Sequence, residues 1–196
     1  VCWKWKPPAG YRSTFGPETV NTLRRMVARW YPKPHRFICV TDDWEGIDPE
    51  VEIVPLWTDF ADIPNPHGPK NPSCYRRLKM FDPAIEGVFG TRFVSVDLDV
   101  VVTGDLTPLW NRPEPIVLYA NTNPQTLYNG SMILMTAGAR PHVWERFDPV
   151  LSPRQSHAAK QFGSDQGWIS HVLGPGEATW GRQDGVYSYR NDLRRN

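Results

Sequence analysis

The stretch FVSVDLDVVVTG, residues 93–104, sets Asp97 and Asp99 one residue apart inside an apolar run rich in valine. Moving an ionised carboxylate out of water is costly unless it is paired, protonated or bound to a metal, so the pair calls for a third party. Alternate residues of an extended strand project to the same side, and two carboxylates so placed can hold a hard divalent cation. Mg²⁺ or Mn²⁺ prefers oxygen donors, keeps part of its water shell and completes the rest with substrate phosphates. The chemistry this points to is that of a diphosphate-bearing substrate. A plain structural reading, with the aspartates bonding backbone N–H groups at a strand end, fits less well, because β-branched residues rather than turn formers surround them.

Other residues could join that chemistry. YRRLKMF, residues 75–81, carries Arg77, whose guanidinium can make charge-assisted bonds to phosphate; Arg76 and Lys79 suit a solvated basic face equally well. In YNGS, Asn129 could bond sugar hydroxyls or make the tight turn that Asn-Gly signals. In SDQG, Asp165 and Gln166 fall in the first turn of a helix that Ser164 could cap and that Gly174 and Pro175 close. The helix dipole accounts for an acid at Asp165 but not for Gln166. The five histidines, at 35, 67, 142, 157 and 171, are isolated from one another. The three cysteines, Cys2, Cys39 and Cys74, have no metal-binding or disulfide spacing and fit a reducing, cytoplasmic setting.

These residues need a frame. VCWKW reads as a strand, and GPETVNTLRRMVARWYP places Val20, Leu23, Val27 and Trp30 at helical spacing between Pro17 and Pro32. RFICVTDD and VEIVPLW read as strands, ADIPNPHGPKNPS as a long functional or mobile loop, and CYRRLKMFDPAI as a helix burying Cys74, Leu78, Phe81 and Ile85. Phe93 to Val102 then reads as a central strand. Farther on, PIVLYA and SMILMT look like strands, RPHVWERF and SDQGWISHVL like short helices, and GVYSYR like a last strand. Strands alternating with helices imply an α/β fold with a mostly parallel central sheet and flanking helices. In such sheets ligands bind beyond the carboxyl ends of the strands, where the aspartates would lie.

The bulk figures are those of a single globular domain: 196 residues, 40% hydrophobic, with 22 Lys and Arg against 21 Asp and Glu. A net charge of +1 gives no field that demands a polyanionic partner. No apolar run is long enough to span a bilayer, and no signal-peptide pattern is present. Nine tryptophans are many for this length; flat indole faces suit sugar or nucleotide sites, although core and rim positions explain most of them.

The sequence around the aspartates, FVSVDLDVVVTGDLTPLW, resembles the DxD region of retaining GT-A enzymes of glycosyltransferase family 8, the glycogenin and lipopolysaccharide galactosyltransferase kind. YRRLKMF resembles that family's [YW]-x-[RK]-L-x-x-F segment, YNGSMILMTAG its Asn-containing strand facing the sugar, and GSDQGWIS its G-x-D-Q helix start. The motifs occur in the family's order over most of the chain. The resemblance implies a GT-A, Rossmann-like domain over residues 1–196, with a nucleotide-binding half at 1–104 and a sugar and acceptor half at 105–196. It implies Asp97 near ribose and metal, Asp99 directly on the metal, Arg77 on the nucleotide-sugar, Asn129 on the sugar, Asp165 orienting hydroxyls and Gln166 near the anomeric carbon. Tyr11, with Phe15 as the alternative, would stack on the base. The implied activity moves a hexose from a nucleotide diphosphate sugar, UDP-linked, with retention, to an acceptor that is a glycan, lipid, protein or modified nucleic-acid base.

The family carries a third metal ligand in a C-terminal HxG segment followed by Lys-Pro. This sequence ends at SYRNDLRRN without it, so another ligand, water, or a segment beyond residue 196 is expected to complete the shell. Two other functions compete. D-L-D-V-V matches the D-x-D-x-[TV] signature of haloacid-dehalogenase-type phosphatases, with Asp97 as nucleophile and Asp99 as acid/base, but that motif normally stands on a domain's first strand. A non-catalytic sugar- or nucleotide-binding module on the same fold would share the frame without the reaction.

Overall fold

A computed structural model describes residues 1–11, 15–123 and 125–194. In chain order its main elements are β1 (Cys2–Lys4), α1 (Pro17–Trp30), β2 (Ile38–Thr41), β3 (Glu52–Pro55), α2 (Glu86–Phe89), β4 (Arg92–Val96) and α3 (Thr107–Trp110). These are followed by β5 (Ile116–Ala120), β6 (Tyr128–Thr136), α4 (His142–Glu145), α5 (Leu151–Ala158), α6 (Asp165–Leu173) and β7 (Ala178–Trp180).

The strands form two ladders, β1-β2-β3 and β4-β6-β5-β7. Val1 joins them. Its backbone nitrogen donates to the Val94 carbonyl at 2.7 Å and its carbonyl accepts from the Val96 N–H at 2.9 Å. One residue bonding to positions two apart on its neighbour is the parallel pattern. The order is therefore β3-β2-β1-β4-β6-β5-β7, and β6 alone runs against the rest. The expected α/β, mostly parallel sheet is present, with one reversed strand. From β1 the chain goes to β2 on one side while β4 lies on the other, so the order reverses between β1 and β4. That is the switch point where open α/β sheets bind ligands, and the aspartates follow β4 there.

Pro17 sits in the first turn of α1, Glu18 and Arg29 complement its dipole, and Val20, Leu23 and Val27 are buried. Residues 75–85 differ from the expected α-helix. They form 3₁₀ turns over Tyr75–Phe81 and Pro83–Ile85. Pro83 disfavours helical backbone at Asp82, which is extended at φ −65° and ψ 124°. With three residues per turn, Tyr75, Leu78 and Phe81 stack in one row and Arg77 and Met80 in the next, and all five are buried. The α-helical face had no place for a buried Arg77.

The last strand also differs. It is β7, parallel to β5, with Trp180 fully buried and its indole N–H on the Leu109 carbonyl at 3.2 Å. In GVYSYR, Tyr187 and Tyr189 are exposed and no strand forms. The loop from Ala61 to Ser73 is tied to itself: Asn65 donates to the Pro72 carbonyl at 2.7 Å and accepts from the His67 N–H at 2.8 Å. Trp3, Trp168 and Trp180 belong to the core, whereas Trp44 is 61% exposed. Among the described residues no helix is long and apolar enough to cross a membrane.

Candidate active site

The strand that leads to the aspartates ends earlier than its valines suggest. β4 stops at Val96, the Asp97 N–H makes a last bond to the Ser131 carbonyl at 2.9 Å, and Val100 N–H closes a turn onto the Asp97 carbonyl at 3.4 Å. The expected strand to Val102, with both carboxylates on one face, is thus corrected to a strand end followed by a turn. The reason is the charge itself: the turn keeps the half-buried Asp97 beside an arginine and delivers Asp99 to solvent, while Leu98 between them stays buried.

Arg77 is the hub. Its side chain is 6% exposed, and Nη1 donates to Asp97 Oδ1 at 2.8 Å. Nη2 donates to the Gly130 carbonyl, and Nε lies 3.5 Å from Asp165 Oδ2. Burial alone would lower its pKa, but the charges of Asp97 and Asp165 raise it above the ordinary value. One guanidinium therefore links the carboxyl end of β4, the bulged start of β6 and the amino end of α6. Its fork suits several acceptors at once.

Asp165 is buried at the start of α6, and Oδ1 accepts from Ser164 Oγ at 3.3 Å. Ser164 was expected to cap this helix; its hydroxyl instead serves Asp165 and accepts from the Cys74 N–H at 3.3 Å. Among the described residues Asp165 Oδ2 and Arg77 Nε have no hydrogen-bond partner, although they face each other. Burial pushes the Asp165 carboxyl up, the Asp97 charge adds to this and Arg77 opposes it. A carboxyl whose folded pKa is raised favours the folded state most below its unfolded value of about 3.9 and loses that advantage as pH climbs toward the folded value. Wild-type stability relative to Asp165→Asn should accordingly fall from about pH 4 upward, read from urea midpoints; parallel pH profiles would contradict this.

Gln166 is half-buried, and its Oε1 lies 3.4 Å from the Gly130 N–H. Gly163 at φ +136° leaves room for it, since a Cβ there would meet Gln166 Cγ at 3.0 Å. Gly167 is required more strictly, because its Cβ would stand 2.9 Å from the Gln161 carbonyl oxygen. Gly167→Ala should cost about 1–3 kcal/mol in a denaturant melt, the overpacking range; an unchanged midpoint would show that α6 can shift freely.

Asn129 lies within β6, opposite Tyr119 at an irregularity in the ladder, and its Oδ1 accepts from the Ser131 N–H at 2.8 Å. Asn129 and Gly130 lie within β6 and make no hairpin turn, although the Oδ1 bond to the Ser131 N–H is the local turn that asparagine favours. Tyr11 stands on the loop leaving β1, its N–H on the Pro8 carbonyl at 3.1 Å. The loop shares the carboxyl end of the sheet with the aspartates, but no contact joins Tyr11 to the Arg77 cluster among the described residues. Residues 12–14 of GYRSTF lie outside the described residues, and Phe15 beyond them is exposed.

The sequence reading missed two contributors and the role of a third. The Gly130 carbonyl carries no recognisable signal as a single residue, and Ser164, read as a cap, gave no sign of its bond to Asp165. Lys4, in contrast, stands buried at the end of β1 and binds the Asp43 carboxylate at 2.8 Å; a lysine in an apolar strand followed by acids after β2 could have revealed it. None of the histidines joins the aspartates: among the described residues no group of three or more His, Cys, Asp or Glu could hold a metal ion. Two hard carboxylates do fit a cation that keeps water and phosphate ligands. Among the described residues Asp99 makes no ion pair, and crowding by the protein, with the Asp97 charge, raises its pKa.

The fold is that of the GT-A glycosyltransferases. A crystal structure of the galactosyltransferase LgtC with donor and acceptor sugar analogs matches with a TM-score of 0.58 at 15% identity, over 91% of this chain and 73% of LgtC. A structure of an LgtC active-site mutant, with glutamate in place of a glutamine, gives 0.57 at 14%, over 91% and 72%. The glycosyltransferase GlyE of Streptococcus pneumoniae TIGR4 gives 0.58 at 12%, over 93% of this chain and 46% of GlyE. No family model matches the chain, and a search of curated proteins finds no match. The resemblance to family 8 read from the motifs is met by LgtC at the level of fold.

Proposed function

We propose that the chain is a nucleotide-sugar glycosyltransferase that moves a hexose from a UDP-sugar, with retention, to an acceptor of the glycan, lipid, protein or modified-base classes. The observation that carries this reading is the Arg77 hub, which gathers Asp97, the Gly130 carbonyl and Asp165 at the switch point of a GT-A sheet. Residues 1–104 would hold the nucleotide and 105–196 the sugar and acceptor. Cytoplasmic location belongs to the same proposal.

Asp97 and Asp99 would hold a divalent cation. When bound, the cation would neutralise charge developing on the departing nucleoside diphosphate. Arg77 acts from beneath: buried and shared among three oxygens, it keeps Asp97 and Asp165 in place. Asp165 orients sugar hydroxyls, and Asn129, its carbonyl oxygen engaged by Ser131, keeps its amide NH₂ for the sugar. Gln166, fixed near Gly130, would face the anomeric carbon; that LgtC has a glutamine in its active site supports this role. Tyr11 would stack on the base. Against a phosphohydrolase stands the place of the motif, after the fourth strand, and the engagement of Asp97 Oδ1 by Arg77.

Thermal-shift screening with UDP, GDP and their sugars, with and without Mn²⁺, tests the reading. Metal-dependent stabilisation by a uridine nucleotide is expected. Absence of any nucleotide-dependent shift with metal present would contradict it.

A further inference from the structure

Lys4 closes β1 with its side chain only 3% exposed. Its Nζ donates to Asp43 Oδ2 at 2.8 Å and to the Asp43 carbonyl at 2.6 Å. Thr41, the last residue of β2, grips the same residue: its Oγ1 accepts from the Asp43 N–H at 3.0 Å and donates to the Asp43 carbonyl at 3.1 Å. A buried ammonium is costly, and an apolar residue in its place serves stability as well or better. Nor is the pair needed to join the strands, which already match Cys2 with Cys39 and Lys4 with Thr41. What the pair achieves is to fix one carboxylate. The Asp43 side chain is 40% exposed, and among the described residues its Oδ1 takes no hydrogen bond. Lys4, with Lys6 adding to it, holds that carboxyl below the ordinary carboxylate range. Oδ1 is therefore a charged acceptor in a set position, open to a ligand.

Asp43 follows β2 and Asp97 follows β4, with β1 between those strands. Both acids therefore lie at the carboxyl end of the sheet, about two strand spacings apart, roughly 9–10 Å. A nucleotide whose phosphates meet Asp97 and Asp99 crosses such a gap with its ribose and base, past the loop of Tyr11 that leaves β1. We propose that Asp43, set by Lys4, selects the base of the nucleotide, its Oδ1 accepting the N3–H of uracil. The inference rests on the glycosyltransferase reading above and names the base-selecting residue of that site. An ionised carboxylate only accepts. Guanine offers N1–H and the N2 amine side by side and calls for both oxygens, one of which Lys4 already holds. Cytosine has a bare N3 where uracil has a proton, so it sets lone pair against lone pair. A single N–H is what one free oxygen fits.

Titration calorimetry in the presence of Mn²⁺ tests this with UDP and 3-methyl-UDP, in which a methyl group replaces the N3 proton. The wild type should bind 3-methyl-UDP about 10–100-fold more weakly than UDP, the scale for a lost hydrogen bond to a charged group. Asp43→Ala should bind the two alike. Because that change leaves Lys4 buried without its partner, Lys4→Met/Asp43→Ala, which removes both charges, is measured beside it and should behave the same way. Equal binding of the two ligands by the wild type would overturn the proposal, as would a preference for UDP that survives the loss of Asp43. So would a preference for UDP over 2′-deoxy-UDP that alone disappears with Asp43, since the carboxylate would then serve the ribose. If UDP itself fails to bind the wild type, the glycosyltransferase reading falls and the proposal with it.

Discussion

Arg77→Met is expected to lower the free energy of unfolding at neutral pH by about 3–5 kcal/mol, the range for removing one partner of a buried ion pair. The guanidinium serves Asp97, the Gly130 carbonyl and Asp165, and methionine fills its volume without replacing a single donor. What remains is a buried carboxylate at Asp165, a half-buried one at Asp97 and a buried carbonyl. Arg77→Lys should recover only part of the loss, since a point charge on a flexible stem cannot reach three oxygens set by a planar fork. Because Asp165 is one of the orphaned partners, adding Asp165→Asn to Arg77→Met should cost less than the two changes separately, a coupling of neighbours in one network. Urea melts of the wild type, the three single variants and the double variant measure this. A loss below about 1 kcal/mol for Arg77→Met, the worth of an exposed pair, would remove Arg77 from the centre of the site.

Asp99→Asn should do the opposite. Asp99 is exposed, has no ion-pair partner among the described residues and already titrates above the ordinary range, so loss of its charge should leave stability within about 0.5 kcal/mol of wild type. Sugar transfer should nevertheless fall by about 10²–10³-fold or more, the scale for removing one group that stabilises developing charge. Metal-dependent stabilisation by nucleotide should vanish with it. Asp97→Asn should share the loss of transfer but also weaken the fold, because Asp97 is bonded to Arg77. The contrast between neighbouring aspartates separates a group retained for chemistry from one that serves both chemistry and structure. Equal destabilisation by the two substitutions would contradict the separation.

The sheet was legible in the sequence because strands buried on both faces are apolar runs, and ICVT, IVLYA and the end of YNGSMILMT leave little else to read. The strand end at Val96 was not, since valines continue on both sides of it and only the cost of burying Asp99 decides where the chain turns. The 3₁₀ turns escaped for a related reason: Pro83 marks a stop, but three-residue periodicity shows only when Arg77 is known to be buried beside Met80. β7 has three residues and no pattern of its own; it is set by its partner β5. Of the site, the acids and Gln166 were visible as residue types with a chemistry. The Gly130 carbonyl was invisible because every residue has one, and its role comes from a distortion of the β5–β6 ladder.

Release of nucleoside diphosphate from a panel of UDP- and GDP-sugars, followed with Mn²⁺ and with a chelator for the wild type and Asp99→Asn, tests the central claim most directly. The account predicts release from a UDP-sugar that needs the metal and is lost in Asp99→Asn although that protein melts at the wild-type temperature. Release that survives the chelator and the substitution would contradict it, as would turnover of a generic phosphate monoester that Asp97→Asn abolishes while no nucleotide-sugar is consumed.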